Sequence, residues 1–266
     1  MKESPLGKNV RPSSKYDPSL LFTVKRHHYK TAFYGYDIWR AYELSWLDLK
    51  GKPNVGILEI IYPFDTESII ESKSLKLYLN GLSYTRFESQ KDLASTIKKD
   101  LEMVLAPKWL MLRIIQAKDL KDHTWASQIK GVCIDDIAVE IVHYKRDAKL
   151  LKVGNDYTEE ILYSNLLRTN CPITLQPDWG SVIIKYRGYK MDHASLLKYV
   201  VSYRKYKGFS ERCCEQMFVD ISTKCRPDYL LVTCRYTRRG GIDINPVRCS
   251  EEITPDPATD WRLPRQ

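Results

Sequence analysis

One stretch of the chain, residues 170–180, combines a cysteine, Cys171, with an acid seven residues later, Asp178. Two prolines lie between them and exclude a continuous helix, so the stretch is predicted to be a rigid loop. Such a loop can hold a thiol and a carboxylate side by side. A thiolate attacks electrophilic carbon to form a covalent adduct, and a nearby carboxyl group can take up the thiol proton and later return one. The alternative is a buried structural cysteine beside a turn aspartate.

The remaining cysteines and histidines narrow the chemistry. The five histidines are distant from Cys171 in sequence, so the cysteine–histidine pair of papain-type hydrolases is not indicated and Asp178 is the better partner. The seven cysteines are odd in number and form no C-x-x-C pair, so neither a disulfide framework nor a metal site is predicted. Cys133, Cys213 and Cys234 lie in apolar segments and are predicted to be core residues.

Two further carboxylates stand at predicted helix starts. Glu71 precedes Ser72-Lys73-Ser74, and Glu211 follows Ser210. One interpretation is structural: serines cap the helices, and the glutamates are exposed or favoured by the helix dipole. The other is functional: the carboxylates accept hydrogen bonds from the NH groups of a ligand, and Lys73 and Lys76 attract its anionic groups.

A basic turn near the end of the chain carries three arginines and two adjacent glycines, within residues 235–246. Glycine lets the backbone approach a ligand closely, and guanidinium groups bind phosphate in bidentate fashion. The alternative is an ordinary basic hairpin turn at the surface. No G-x-G-x-x-G follows a strand, so a dinucleotide would be held outside a Rossmann fold.

Composition indicates a globular protein without a membrane span. Hydrophobic residues make up 43% of the 266 residues, and the formal net charge of +9 suits an anionic ligand. No signal peptide and no long apolar run appear, so a cytoplasmic protein is expected, with no membrane partner.

The predicted elements must position these groups. Residues 1–20 are predicted to be a flexible arm, followed by an N-terminal half at 21–150 and a C-terminal half at 151–266. Strands are predicted at 34–49, 55–62, 109–115, 131–144, 161–169, 182–186 and 229–236. The stretch 69–78 is predicted to be a loop that runs into a helix, and further helices are predicted at 90–105, near 192 and near 210. The order of elements repeats after about 120 residues. This indicates an α+β fold of two ββααββ halves, with antiparallel sheets and helices on one face.

Together these motifs resemble the QueF family of NADPH-dependent 7-cyano-7-deazaguanine reductases, in its long form with two tandem halves. The resemblance is carried by Glu71-Ser72-Lys73-Ser74-Leu75-Lys76-Leu77-Tyr78, the cysteine loop, the stretch 209–211 and the basic turn, in the same order. It implies a tandem T-fold (tunnelling fold) and a homodimer. It also implies a queuosine-pathway enzyme that reduces the nitrile of 7-cyano-7-deazaguanine to an aminomethyl group, without binding nucleic acid directly.

The resemblance also implies roles for individual residues. Cys171 would form a thioimide with the nitrile carbon and Asp178 would donate a proton. The substrate would contact Ile70, Glu71, Ser72, Ser210 and Glu211. NADPH would contact Ser72, Lys73, Arg239 and Gly240. One position departs from the family, because Ser210 stands where a histidine is usual, and we expect activity to survive with an altered rate or affinity.

Two other functions remain open at this stage. The same loop could serve a cysteine-based transferase that forms an adduct without consuming NADPH. The chain could also be an inactive nucleotide- or tRNA-binding T-fold protein, whose binding would weaken steeply with salt.

Overall fold

The computed structural model describes residues 14–116, 129–255, 262–263 and 265–266. The chain divides into two compact units, each assembled from three segments. The first unit is Met1–His28, Ile38–Thr124 and Arg238–Asp243, and the second is Tyr29–Asp37, Trp125–Thr237 and Ile244–Gln266. The expected boundary between halves at residue 150 stays a prediction.

The first unit combines antiparallel strands with two helices. Its elements are β1 (Thr23–Lys25), β2 (Tyr34–Leu47), β3 (Pro53–Pro63), β4 (Ser68–Ile70), α1 (Ser72–Leu82), α2 (Gln90–Leu105) and β5 (Met111–Gln116). Of β2, the part from residue 38 onward belongs to this unit. β3 pairs with β5 and β1 pairs with β4, both antiparallel. Residues 1–13 of the predicted arm lie outside the described residues, whereas Pro18–Leu20 form a short 3-10 helix capped by Asp17.

Helix α2 begins and ends at the predicted residues. Leu93, Ile97 and Leu101 recur at helical spacing and are fully buried. Ser89 caps the start by accepting from the Asp92 backbone NH, and Ala106, in the left-handed conformation, ends the helix just before Pro107.

From residue 153 onward the second unit follows the order two strands, two helices, two strands. Its elements are β6 (Val132–Cys133), β7 (Val153–Asn170), β8 (Pro177–Met191), α3 (His193–Ser202), α4 (Ser210–Cys225), β9 (Tyr229–Tyr236) and β10 (Ile242–Cys249). Of β10, the part from residue 244 onward belongs to this unit. β7, β8, β9 and β10 are neighbours in this order and pair antiparallel, and β6 joins β7 in parallel. The order from β7 to β10 is the T-fold unit that the resemblance implies, so the α+β fold class is confirmed.

Three local predictions need correction. The predicted strand at 131–144 is wrong beyond Val132–Cys133, because the Asp135 carboxylate accepts hydrogen bonds from the backbone and side chain of Asn165 and from Ser164 in place of a strand ladder. Cys133 lies on this short edge strand and is half-buried, so it is not a core residue. The predicted loop at 170–180 is shorter than expected, because β8 begins at Pro177.

Equivalent hydrogen bonds occur within each of the two units, and they support the duplication. In the first unit the Tyr78 hydroxyl donates to Asp100 at 2.7 Å, and in the second the Tyr199 hydroxyl donates to Asp220 at 2.7 Å. The helix starts also correspond, because Glu71 caps α1 in the first unit and Asp192 caps α3 in the second. The same tertiary interactions therefore recur about 120 residues apart. Within the described residues, no helix is long and apolar enough to cross a membrane.

Candidate active site

The cysteine loop is a tight turn that joins β7 to β8. The Cys171 backbone NH donates to the Gln176 carbonyl at 2.9 Å, and the Cys171 carbonyl accepts from the Leu175 NH at 3.1 Å. Leu175 adopts a left-handed backbone with φ of 57°, which costs a non-glycine residue about 1 kcal/mol. The backbone of the cysteine is thus held from both its NH and its carbonyl.

Strand register sets Asp178 next to the end of β7. Asn170 pairs with Pro177 and Thr169 pairs with Asp178. Paired residues share a face, so Asp178 lies on the face of Thr169, and Cys171 directly follows the last paired residue of β7. Cys171 and Asp178 are both half-buried.

The opposite face of the hairpin carries a different group. Trp179, directly after the acid, pairs with Arg168 across the strands, and the guanidinium carbon of Arg168 lies 5.6 Å from the centre of the indole ring. Arg204 lies at the same distance from this ring. These cation–π contacts fix the strand next to Asp178, on the face opposite to that carboxylate.

Helix α4 lies against the face that carries Thr169 and Asp178, since Cys213 of this helix interacts with both. The segment before the helix is bound to the end of β7, because the Gly208 NH donates to the Asn170 carbonyl at 3.2 Å and the Asn170 NH donates to the Tyr206 carbonyl at 2.8 Å. The first residues of the helix, Ser210 and Glu211, therefore start beside the cysteine hairpin.

Cys213, on the first turn of α4, is fully buried and lies against the same strand face. Burial raises the pKa of this thiol to about 12, and the nearby Asp178 carboxylate acts in the same direction. Hydrogen bonds with Tyr236 and Thr169 act in the opposite direction. The prediction that Cys213 and Cys234 are core residues is confirmed. All seven cysteines lie within the described ranges, and none of them is in a disulfide.

The start of α4 differs from the expected capping. Phe209, not Ser210, occupies the capping position and makes no side-chain cap hydrogen bond, and Ser210 is the first helical residue. Ser210 and Glu211 are both buried, with 9% and 2% of their surface exposed. A buried carboxylate on the first turn benefits from the partial positive charge of the helix start.

Sequence reasoning missed a buried ion cluster on the next turn of α4. Glu215 is almost fully buried and accepts from Arg248 at 2.8 Å, and Arg248 also forms a 2.8 Å ion pair with Asp37. The four-residue spacing between Glu211 and Glu215 was the available signal, since it puts both carboxylates on one face of the helix. The partner Arg248 could not be found from spacing.

In the first unit, Glu71 is itself the cap of α1. Its side chain accepts from the backbone NH of Lys73 at 2.9 Å and of Ser74 at 2.7 Å. The interpretation that Ser72 or Ser74 caps this helix, with Glu71 exposed, is therefore wrong, because Glu71 is 4% exposed. A carboxylate offers about four lone-pair positions, so the cap bonds leave acceptor capacity for a ligand.

The neighbours of Glu71 differ in burial. Ile70 is 2% exposed and ends β4, so its side chain belongs to the core. Ser72 and Lys73 open α1 and are half-buried. Backbone NH groups at a helix start favour anions, which fits a phosphate-bearing ligand at these two residues.

The basic turn has the geometry of a tight hairpin. The Arg239 NH donates to the Ile242 carbonyl at 2.9 Å, and Gly240 and Gly241 between them both have positive φ, 55° and 73°. Two consecutive positive φ values define a type I′ turn, which explains the glycine pair. Arg239 is half-buried and Gly240 is exposed. A cavity of about 250 Å³ borders this turn.

Among the described residues, no group of three or more histidine, cysteine, aspartate or glutamate side chains could hold a metal ion. The second unit contains Cys171, Asp178, Ser210 and Glu211. The first unit contains Ile70, Glu71, Ser72, Lys73, Arg239 and Gly240.

Comparison with known families gives two matches, one in each part of the chain. The model described as "Nitrile reductase, 7-cyano-7-deazaguanine-reductase N-term" matches residues 13–108. The model described as "QueF-like protein" matches residues 177–255.

Curated relatives match over nearly the whole chain. The NADPH-dependent 7-cyano-7-deazaguanine reductase of Desulfotalea psychrophila is 48% identical over 254 residues, covering 92% of this chain and 91% of the relative. The enzyme of the same name from Chromohalobacter salexigens is 42% identical over 275 residues, covering 100% and 98%. Among solved structures, the apo archaeosine synthase QueF-Like has a TM-score of 0.33 at 20% identity, covering 38% of this chain and 99% of that one.

Proposed function

We infer the function of this chain from its family, since it belongs to the QueF family of NADPH-dependent 7-cyano-7-deazaguanine reductases. The chain is an oxidoreductase that reduces the nitrile of 7-cyano-7-deazaguanine to an aminomethyl group in queuosine biosynthesis, with NADPH as reductant. The structural observation that supports the proposal is the hairpin register, in which Asp178 pairs with Thr169, two residues before Cys171.

The chemistry starts from a nitrile, which is a poor hydride acceptor. The Cys171 thiolate adds to the nitrile carbon, a C–S bond forms, and one π bond of the C≡N group breaks. Asp178 supplies the proton that the nitrogen gains, so the product of this step is a neutral thioimide. NADPH, when bound, supplies hydride, and two molecules are needed for each nitrile. The first hydride adds to the thioimide carbon, and the C–S bond then breaks as the C=N bond of an imine forms, which releases the cysteine thiolate. The imine carbon accepts the second hydride and the nitrogen takes up a proton, which gives the aminomethyl group.

The carboxylates of Glu71 and Glu211 suit the recognition of the base. The edge of a deazaguanine is rich in NH donors, and ionised carboxylates only accept. We assign Glu211 to the amino and ring NH groups, and Ile70, Glu71 and Ser72 to further contacts with the base. Ile70 acts through its backbone, because its side chain is core.

The residues available for NADPH fit a phosphate-bearing cofactor. Ser72 and Lys73 present a helix start and an ammonium group, and Arg239 adds a guanidinium group beside the close-approach glycine Gly240. We assign these four residues to NADPH. We further propose that the enzyme is a cytoplasmic homodimer of tandem halves, 21–150 and 151–266, and that it binds no nucleic acid directly.

Mass spectrometry of the intact protein tests the covalent step. Incubated with 7-cyano-7-deazaguanine and no NADPH, the parent protein should gain the mass of one substrate, and Cys171→Ala should not. Cys133→Ala is the matched control, because Cys133 is also half-buried but lies on edge strand β6. A Cys171→Ala protein that still forms the adduct would contradict the assignment.

Absorbance of NADPH separates the three functions considered above. A reductase consumes NADPH when the nitrile is added. A cysteine-based transferase would form the adduct and leave NADPH unchanged. A nucleotide- or tRNA-binding protein would form no adduct, and its binding would weaken steeply as salt is raised.

A further inference from the structure

The duplication gives equivalent positions at the start of the first long strand of each unit. Thr23 pairs with Ile70, which directly precedes the cap of α1. Val153 pairs with Met191, which directly precedes the cap of α3. Thr23 and Val153 therefore occupy the same place in the two halves of the fold.

The ends of these strands are also equivalent, but the number of residues before them differs. Leu47 forms a parallel bridge to the segment before α2, and Asn170 forms one to the segment before α4. Leu47 follows Thr23 by 24 positions, whereas Asn170 follows Val153 by 17, so the first half has seven additional residues. β7 is continuous over this length, whereas residues 26–33 separate β1 from β2. We call residues 26–33 the extra segment, since the additional residues lie there.

Part of the extra segment packs on helix α4. The stretch from Tyr29 to Phe33 belongs to the second unit, although it precedes β2 in the sequence. The centre of the Phe33 ring lies 5.3 Å from that of Phe218 on α4, and both side chains are buried. The centre of the Tyr29 ring lies 6.1 Å from that of Phe33. These aromatic contacts anchor the extra segment to α4.

The Tyr29 hydroxyl reaches the first turn of α4. It donates to the Arg212 carbonyl at 3.4 Å. The guanidinium group of Arg212 in turn hydrogen-bonds the hydroxyls of both Tyr29 and Tyr206. Burial raises the pKa of Tyr29, so the hydroxyl keeps the proton that it donates. Because Arg212 directly follows Glu211, Tyr29 is attached to the turn that carries the carboxylate assigned to the base.

The equivalent helices α2 and α4 differ in how their first turns are held. In the first unit Ser89 caps α2, and its hydroxyl accepts from the Asp92 backbone NH at 3.1 Å. In the second unit Phe209 occupies the capping position of α4 and makes no side-chain cap hydrogen bond. The first NH groups of a helix have no intrahelical acceptor, so a turn without a side-chain cap is less firmly held. The contact between Tyr29 and Arg212 attaches this turn of α4 to the extra segment.

We propose that Tyr29 is a positioning residue for the substrate site, which holds the first turn of α4 so that Glu211 can accept from the NH groups of the base. The proposal rests on the proposed function and deepens it. Tyr29 acts through Arg212, the neighbour of Glu211 in the sequence. Of the two equivalent helices, the extra segment packs on α4, whose first turn is the one assigned to the substrate.

Steady-state kinetics at saturating NADPH test the proposal. Tyr29→Phe keeps the ring and removes the hydroxyl, so KM for 7-cyano-7-deazaguanine should rise about five-fold while kcat changes by less than about two-fold. Tyr34→Phe is the matched control and should leave both constants unchanged, because Tyr34 is an exposed tyrosine at the start of β2. Urea unfolding is measured alongside. A Tyr29→Phe protein with lowered stability and the KM of the parent would give Tyr29 a structural role alone and overturn the proposal.

A double-mutant cycle tests the contact with Arg212 itself. Arg212 is exposed, so Arg212→Met should fold, and it should raise KM about five-fold as Tyr29→Phe does. The double variant should raise KM no further, because both substitutions remove the same interaction. A rise of about 25-fold, the product of the two single effects, would show that the residues act independently and would also overturn the proposal. If the parent protein neither forms the covalent adduct nor consumes NADPH, the proposed function itself fails, which is a distinct result.

Discussion

At the scale of single residues, the thiols of Cys171 and Cys213 differ in how deeply they are buried. Cys171 is half-buried at the mouth of a turn, where a substrate can reach it. Cys213 is packed under the same strands with no exposed surface, and burial raises its pKa to about 12. Protein packing therefore suppresses ionisation at Cys213, which agrees with the proposal that Cys171 is the nucleophile.

The raised pKa of Cys213 predicts a loss of stability in alkali. Between its ordinary value of 9.0 and about 12, the unfolded chain loses the proton while the folded chain keeps it. The free energy of unfolding should therefore fall as the pH rises above 9, by up to about 1.4 kcal/mol per pH unit for this group. Urea unfolding at pH 8, 9 and 10 measures the slope.

Cys213→Ala should be less stable at pH 8, because it leaves a cavity, but its stability should fall less steeply with pH. Buried tyrosines with raised pKa values, such as Tyr199, add a common slope at higher pH in both proteins. Equal slopes for parent and variant between pH 9 and 10 would contradict the prediction.

Ser210 carries a prediction about catalysis. Serine does not titrate near neutral pH, whereas the histidine usual at this position in the family does. We expect the parent enzyme to turn over, and Ser210→His to change kcat/KM by about ten-fold, or about 1.4 kcal/mol. The pH profile of kcat/KM for this variant should gain a step near pH 6.5. A parent enzyme without turnover would show that the histidine is indispensable.

At the scale of elements, one carboxylate has both a structural and a ligand-binding assignment. Glu71 bonds two backbone NH groups of the first turn of α1, and it is also assigned to the substrate. In the second unit the corresponding cap is Asp192, which accepts from the Ser195 NH at 2.7 Å at the start of α3. The duplication thus supplies a control for separating capping from recognition.

Substitution of the two caps should give different results. Glu71→Ala and Asp192→Ala should each lower the free energy of unfolding by about 1 kcal/mol, since a cap is lost. Glu71→Gln keeps one side-chain oxygen and should cost less stability, but it should weaken substrate binding about ten-fold because the charge is removed. Substrate affinity is measured by calorimetry with thermal unfolding alongside. Equal substrate affinity in Glu71→Gln and the parent would assign Glu71 to capping alone.

At the scale of the whole molecule, each unit has its own buried tyrosine–aspartate pair, and the other donors to the aspartate differ between the units. Asp100 accepts from Tyr78 and from Tyr16, both at 2.7 Å. Asp220 accepts from Tyr199 and is also bound by Arg146 at 2.7 Å and by Gln216 at 2.9 Å. The aspartate of the second unit therefore has a charged partner among its donors.

Removal of the tyrosine hydroxyl should lower the free energy of unfolding by a different amount in each unit. Tyr78→Phe leaves Asp100 with fewer donors and should lower the free energy of unfolding by about 2 kcal/mol, within the range for an incompletely satisfied buried group. Tyr199→Phe should cost about half as much, since Arg146 still binds Asp220. Urea unfolding of both variants measures the difference, and a larger loss for Tyr199→Phe would contradict this account.

The amino-acid sequence by itself determined the chemistry and most of the elements. Helix α2 begins and ends at its predicted residues, because helical periodicity and the proline that follows are local signals. Strand β9 also begins and ends at its predicted residues, shortly after Pro227. The proposed nucleophile and its acid could be picked out because residue type and a proline-containing segment are also local signals. The family followed from motifs in a fixed order.

Only the tertiary structure decided which groups meet. The approach of Cys213 to Asp178, the ion cluster of Arg248 and the contact of Tyr29 with Arg212 join residues that are far apart in sequence. Such contacts depend on strand register and helix placement, and a shift of one residue in register would turn Asp178 to the opposite face. The same reason explains the strand wrongly predicted at 131–144, where the Asp135 carboxylate bonds Asn165 of another strand, a contact that no local pattern encodes.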